Sequence, residues 1–492
     1  MSDLDRKTPY EESENPAVFE KAASEGSLVG FNDRATKRLL RKIDLYLIPL
    51  LSLLYLLSFL DRSNIGNAKL AGLTTTLSLK GLQFNNALAI FFPFYVLAEV
   101  PSNLMMKLTR PSIWIPIIMV TWGLVCTMMG LVKNYQGLMA ARVFLGLAEG
   151  GLFPGVTFYI TMWYRRHECG RRMAIFFSAA TAAGAFGGLL AYAIQNMDHV
   201  ANLRSWQWIF ILEGIATFVV GCVAFFLLHD YPDTAKFLAK DEREEVQRRL
   251  EHDRGMLADE FAMKYILDAF KDWKIWVNCF ITVGIFAGLY SVSLFMPTIV
   301  SGLGYKDKEA QLMTVPPYVV ACLFCISSGF AADRAKQRGV FQIGFILASM
   351  VGLLMLLLST SNHVKYAGVF FTTVGIYSNV PQCTAWNSNN IGGTTKRSVG
   401  MAMQVGMGNL AGTMSAYMFL PKDQPKGFAS GYKGLLGLAA MSCALSIGMS
   451  VYLRMENSRR DREFKRPEEY TVEEMALERE KGDNASFFRY TV

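Results

Sequence analysis

Charge is scarce in this chain, and so is histidine: 18% of the 492 residues are charged and only five are histidine. A soluble chain of this length would divide into several domains of ordinary charge content. Here the charges gather in a few blocks, and long apolar stretches fill the space between them. The eight cysteines make no paired framework. Cys322 and Cys325 form a CxxC, but in an apolar segment with no second pair or nearby histidine, which reads as two small packing residues rather than a zinc or redox site. His167, His199, His229, His252 and His363 fall at the ends of apolar runs or in polar stretches and gather no ligand set. No phosphate-cradling loop and no nucleophile constellation is present, so an enzyme is not expected. No short, cleavable apolar leader precedes the first long apolar run, so a secretory signal is not expected either.

The formal charge of +8 does not mark a nucleic-acid partner. The basic residues cluster beside apolar runs, as at Lys37–Lys42 and Arg454–Arg466, where they orient a chain in a membrane and meet anionic headgroups.

Apolar side chains make up 52% of the sequence. A membrane-spanning helix needs about 20 mostly apolar residues. Such runs occur near 43–65, 84–106, 113–132, 137–161, 173–195 and 206–229, then near 275–300, 315–332, 340–359, 366–387, 399–420 and 433–453. The pattern predicts an all-α membrane protein with twelve transmembrane helices in two six-helix halves, 43–229 and 275–453. Residues 1–42, polar and weakly periodic, read as a disordered cytosolic tail. The charged stretch 230–274, with periodic Leu and Phe, reads as a helical cytosolic linker, and 454–492 as a C-terminal cytosolic tail. Lysine and arginine in the short loops barely decide orientation; the tails and linker tip it, putting both termini in the cytosol. The halves echo each other. Residues 329–339 read Gly-Phe-Ala-Ala-Asp-Arg-Ala-Lys-Gln-Arg-Gly after the eighth run, and Pro101 to Arg110 keeps a basic remnant after the second, as in repeat-built transporters.

Ionisable groups inside the hydrocarbon cost several kcal/mol and are functional candidates by default. Asp61 and Arg62 lie well inside the first run. Arg142 and Glu149, seven residues apart, share one face of the fourth helix, and Gly146 and Gly150 let another helix approach it closely. Four charges summing to zero on two helices suggest a paired network around a central cavity. A guanidinium offers a planar, permanent fork for a carboxylate. Desolvated carboxyl groups of this kind can bind and release protons in the working range. The alternative for all four is a fixed salt-bridge cluster that only holds helices together.

Other positions carry less. Asn409 could hydrogen-bond substrate from the opposite half, or simply join helices. Trp386, Asn387 and Asn390 could line the cavity or end the tenth helix at the cytosolic surface; Tyr377, Asn379 and Gln382 are similar. Glu99 and Glu213, near helix ends by counting, read as cytosolic gate salt bridges, and Asp44 as a headgroup-level residue. Asp333, Arg334 and Arg338 read as gate residues rather than ligands.

These residues resemble the major facilitator superfamily. Asp333, Arg334 and Arg338 match its cytosolic loop motif, and Arg142-x-x-x-Gly146-x-x-x-Gly150 its fourth-helix motif. Leu60-Asp61-Arg62-Ser63-Asn64-Ile65-Gly66-Asn67-Ala68 looks like the first-helix motif of the anion:cation symporter family, and Gly146 to Gly155 is similar to that family's fourth helix. The stretch Trp386 to Arg397 resembles the fungal branch of allantoate and nicotinate permeases. Two stretches depart from the pattern: the turn after the second run lacks the motif's acidic residue, and Pro425 to Tyr432 replaces a shorter proline-tyrosine-glycine pattern.

The resemblance implies the major facilitator fold. It assigns proton carriage to Asp61 and Glu149, substrate holding to Arg62, and pairing with the acids to Arg142. It also implies proton-coupled symport of a small carboxylate such as nicotinate, allantoate or pantothenate by alternating access. No cofactor is expected beyond protons as the coupling ion. The partners expected are the carboxylate, protons and lipid, with no nucleic acid, in a plasma-membrane monomer. An exporter of an organic-acid metabolite and a transporter-like nutrient sensor are the competing readings.

Overall fold

The computed structural model describes residues 33–254, 263–335, 337–464, 470–471, 474, 478 and 481–492. Among them all regular structure is helical. In the first half, α1 is Asp33–Leu70, α2 Gln83–Ala89, α3 Phe91–Leu108, α4 Pro111–Met129, α5 Tyr135–Glu149, α6 Leu152–Thr161, α7 Arg166–Ile194 and α8 Ser205–Leu227. The linker carries α9, Lys240–Arg254, and α10, Met263–Lys271. The second half holds α11 Trp273–Ser301, α12 Asp307–Met313, α13 Val315–Ala335, α14 Gly339–Leu358, α15 Asn362–Asn390, α16 Thr394–Ala416 and α17 Ala429–Glu463.

Taking α2 with α3, α5 with α6 and α12 with α13 as single crossings gives six in each half. Ten of the twelve are long and apolar enough to cross a membrane. The other two, α15 and α16, have the length, 29 and 23 residues, but carry polar side chains such as Asn379, Gln382, Gln404 and Asn409. Those side chains are buried against other helices, so the polarity faces protein and not lipid.

The packing repeats itself. In the first half crossing one packs on five, two on four, and three on four and six; in the second, seven packs on eleven, eight on ten, and nine on ten and twelve. Between halves, five meets eight, two meets eleven, and one meets seven. Exchanging the halves maps this set of contacts onto itself, with one on seven unchanged, which is the two-fold pseudo-symmetry of a repeat-built transporter.

Hydrogen bonds between the halves lie mostly on the face away from the linker. Asn85 donates to the Ala416 carbonyl at 2.6 Å, Tyr417 to Asn86 at 2.9 Å and Lys308 to Asn196 at 2.7 Å. A Cβ on Gly66 of α1 would stand 2.4 Å from the Leu294 carbonyl of α11, so the halves touch there backbone to backbone. On the linker face, Arg171 stacks 5.1 Å from the Phe330 ring.

Helix α1 begins at Asp33, so residues 33–42, expected in the tail, are helical; the rest of that expected tail, 1–32, lies outside the described residues. The linker helix α9 is tied to the first half: Lys42 meets Glu242 at 2.6 Å, Arg249 pairs with Glu168, and Arg165 donates to the Arg249 carbonyl at 3.1 Å. Asp44 pairs with Arg172 at 2.5 Å beside them.

Candidate functional site

The centre of the bundle is built on Arg62. It lies deep in α1, where a guanidinium facing lipid would go unsolvated, and it turns inward, buried to 3% exposure. One end donates to Glu149 Oε1 of α5 at 2.6 Å, and the other to the Tyr290 hydroxyl of α11 at 3.1 Å. Tyr290 in turn donates to Asn409 Oδ1 of α16 at 2.6 Å. Four helices, two from each half, thus meet on one hydrogen-bonded chain. Around it stand the rings of Tyr95, Phe91, Phe59 and Tyr290, 4.7–5.8 Å from the guanidinium carbon, close enough for cation–π attraction.

The glycines of α5 put the rings there. A Cβ on Gly146 would lie 2.5 Å from the Phe91 carbonyl, and one on Gly150 would lie 2.3 Å from the Tyr95 carbonyl. Only glycine lets α3 sit this close to α5. The expected close approach therefore has an identity, and its product is the aromatic wall beside Arg62.

The four charges are not one network. Glu149 takes Arg62 and the Ser58 hydroxyl, at 2.5 Å, on the same oxygen, leaving Oε2 without a donor. Arg142 pairs with neither acid. Its Nε donates to the Ala87 carbonyl at 3.1 Å, its head stacks 4.7 Å from Phe91, and both terminal nitrogens lack acceptors. Asp61 faces the other way, accepting from Trp122 Nε1 of α4 at 2.7 Å and Thr217 of α8 at 2.9 Å. Residues three apart on a helix, here Asn64 beside Asp61, share a face, and Asn64 donates to Glu213 of α8.

Glu99 and Glu213, read from the sequence as gate salt bridges, are buried inside the bundle at 4% exposure each, and among the described residues neither has a cation within ion-pair distance. Glu99 faces Arg62 and Asn409 with both oxygens unsatisfied. The run edges match the helix ends to within two residues; what counting along the chain misses is that both side chains turn inward, Glu99 toward Arg62 and Glu213 toward Asn64. Tyr290 carried no signal in the sequence: a tyrosine in an apolar run is ordinary, and its partners come from the other half.

Trp386 and Asn390 lie far along α15 from this centre and hold the C-terminal segment instead. Trp386 Nε1 donates to the Thr491 carbonyl at 2.8 Å, as does Asn390 Nδ2 at 2.9 Å, and Asn390 Oδ1 accepts from the Thr491 amide at 2.7 Å. Asn387 bonds Gln404 at 2.8 Å. In the loop between α13 and α14, Arg338 pairs with Asp333, donates to Gln382 at 3.0 Å, and gives its backbone N–H to the Val492 carbonyl at 2.8 Å. Arg334 is exposed. Arg338 also approaches Gly170 of α7, so the loop sits where the two halves face each other on the linker side.

The C-terminal segment is anchored by Asp483, 1% exposed, which takes Lys274 at 2.5 Å and Lys396 at 2.6 Å; Asp272 completes the square, 2.7 Å from Lys396. Arg460 donates to the carbonyls of Asp483, Ala485 and Phe488 at 2.9–3.0 Å. Among the described residues no group of His, Cys, Asp and Glu is arranged to hold a metal ion.

Comparison with known proteins agrees with this architecture. Residues 51–416 match the family model of the Major Facilitator Superfamily. The MFS-type transporter cnsO of Penicillium expansum is 33% identical over 94% of this chain and 92% of its own length. An uncharacterized transporter of Schizosaccharomyces pombe, C1002.16c, is 35% identical over 92% of the chain and 91% of its own. The high-affinity nicotinic acid transporter of Saccharomyces cerevisiae is 33% identical over 86% of this chain and 79% of its own. Among solved structures, a bacterial homologue of the human lysosomal transporter Spinster, in an inward-facing and occupied conformation, superposes with a TM-score of 0.60. It shares 16% identity and covers 82% of this chain and 96% of its own, a likeness of fold alone. With its twelve crossings in two halves related by a pseudo-two-fold, this chain is a multi-pass membrane transporter that belongs to the major facilitator superfamily.

Proposed function

We propose that the protein carries a small organic carboxylate into the cell together with protons, by rocking its two halves about Arg62. The observation that carries this reading is the chain Glu149–Arg62–Tyr290–Asn409, which joins both halves through a buried guanidinium. Arg62 spends one of its terminal nitrogens on an acid of its own half. A proton arriving on Glu149 would cancel that attraction and free a permanent cation for an incoming carboxylate. Substrate and proton then favour each other, which is the coupling a symporter needs. Tyr290 and Asn409 would receive the rest of the substrate from the opposite wall, with the aromatic ring of residues holding an apolar or planar body.

The kinship with a nicotinic acid transporter supports a carboxylate of nicotinate, allantoate or pantothenate type and the anion:cation symporter branch. We place the protein in the plasma membrane, as a monomer, with both termini in the cytosol. The test is uptake of a labelled carboxylate panel at acid external pH, with and without a protonophore. Accumulation of one member that collapses with the protonophore is the expected result. No uptake by protein shown to reach the surface would favour export of a metabolite or a sensing role. Single cysteines at Ser78 and Lys240 should label from outside and inside respectively; labelling from one side would overturn the orientation.

A further inference from the structure

Four carboxyl groups, Asp61, Glu99, Glu149 and Glu213, are buried in the middle of the bundle against two guanidinium groups, Arg62 and Arg142. Full ionisation would leave two surplus negative charges in a region that tolerates none without compensation. Part of that surplus sits in one cluster. Asp61 and Asn64 stand a turn apart on α1, and Glu213 and Thr217 a turn apart on α8. They bond crosswise, Thr217 donating to Asp61 at 2.9 Å and Asn64 to Glu213, while Trp122 closes the side toward α4. Three oxygens remain buried without a donor: Asp61 Oδ1, Asn64 Oδ1 and Glu213 Oε1.

The deficits are of one kind, acceptors lacking donors. The neighbouring groups do not supply the remedy. Cys126 of α4 comes within reach of Asp61, but a thiol is a weak donor and the hydrogen bond its geometry makes runs to the Phe210 carbonyl at 3.8 Å, leaving Asp61 Oδ1 open. Glu149 of α5 is within electrostatic reach of Asp61 but is itself an acid and offers no added donor. Arg142 also neighbours Cys126, yet its head stacks on Phe91, and Arg62 is turned to Glu149 and Tyr290. A hard metal ion asks for about six oxygen ligands, more than the three left open here, and two N–H donors already occupy neighbouring carboxylate oxygens.

We propose that Asp61, Asn64, Glu213 and Thr217 form a proton-binding site within the first half, with Glu213 as its second carboxyl group, distinct from the Arg62–Glu149 pair at the seam. Its use in coupling rests on the symport reading above; its existence does not. One proton on either carboxyl group supplies the missing donor and cancels one surplus charge. The carboxylate left ionised keeps the donors it already has.

The test is infrared difference spectroscopy of the purified full-length protein, reading the C=O stretch of protonated carboxyl groups and its shift in D2O. The expected result is a band at neutral pH that titrates away in alkali and is lost in Glu213→Gln and Asp61→Asn. Glu213→Asp should return a displaced band, and thermal melting should show that the variants are folded. A wild-type spectrum without such a band, or a band untouched by Glu213→Gln, would overturn the proposal. A band removed at fixed pH by sodium chloride but not by choline chloride would overturn the proton in favour of a metal cation. No transported compound enters the readout. A failed uptake panel with the band intact therefore rejects symport and keeps the site, whereas uptake intact without the band rejects the site alone.

Discussion

Arg62 and Glu149 meet at 2.6 Å with their side chains 4% and 0% exposed, and the same Glu149 oxygen also receives Ser58. One oxygen therefore does all the pairing while the other is left without a donor. The pair is held, but not saturated.

Breaking it from one side should cost more than removing it. Arg62→Gln leaves Glu149 buried without its cation, a loss of about 3–5 kcal/mol. The double variant Arg62→Gln with Glu149→Gln should recover most of that stability. Thermal unfolding of purified protein reads both, and uptake of the carboxylate should be lost in both. Unchanged uptake in Arg62→Gln would remove Arg62 from the substrate site.

Glu149→Gln mimics the protonated acid and should release Arg62 permanently. Uptake should then ignore the pH gradient, while exchange of substrate across the membrane is partly kept. The check is counterflow beside proton-driven uptake; full pH dependence in the variant would count against Glu149 as a carrier of protons.

Two glycines should give different defects when made valine. Gly150 is wedged against the Tyr95 carbonyl within one half, so Gly150→Val should lower the melting temperature. Gly66 meets Leu294 across the seam, on the face sealed by the Asn85 and Tyr417 hydrogen bonds. Gly66→Val should leave each half folded and hold that face open. Spin-label distances between α1 and α11 should lengthen in Gly66→Val and stay unchanged in a destabilised Gly150→Val.

The C-terminal segment should stay docked across the physiological range. Burial alone would push the Asp483 carboxyl up, but the ammonium groups of Lys274 and Lys396 outweigh it and hold it below its ordinary value. A carboxyl group depressed on folding stabilises above the ordinary aspartate range, about pH 4, and loses that contribution as pH falls through its lowered value. Hydrogen exchange of 482–492 should therefore show the same protection from neutral pH down to about pH 5. Asp483→Asn should raise exchange at least tenfold throughout that range, about 1.4 kcal/mol.

The crossings were legible because each is a long apolar run, and so were the charges inside them, because Asp61, Arg62, Arg142 and Glu149 interrupt those runs visibly. How the charges partner was not legible. Arg142 turns to a backbone carbonyl and a ring, and Asp61 to Trp122 and Thr217, because helix rotation decides which neighbour a side chain meets. Rotation is set by close contacts such as Gly146 against Phe91, which depend on both helices at once. Glu213 was misread for the same reason: its partner Asn64 sits in a motif on another helix, a hundred and more residues away. The residues around Trp386 looked like a cavity wall because they are polar and close to a helix end. In the fold they meet Thr491, a distant piece of the same chain.

That piece is gripped mostly by its main chain. Trp386, Asn390, Arg338 and Arg460 all bind carbonyls or an amide of 483–492, and of its side chains Asp483 and Tyr490 make the principal polar contacts with the body of the protein. A grip on backbone reads length and extension rather than spelling. Most letters of this stretch can drift without loosening it, while a single inserted or deleted residue between Asp483 and Thr491 would put every later bond out of step.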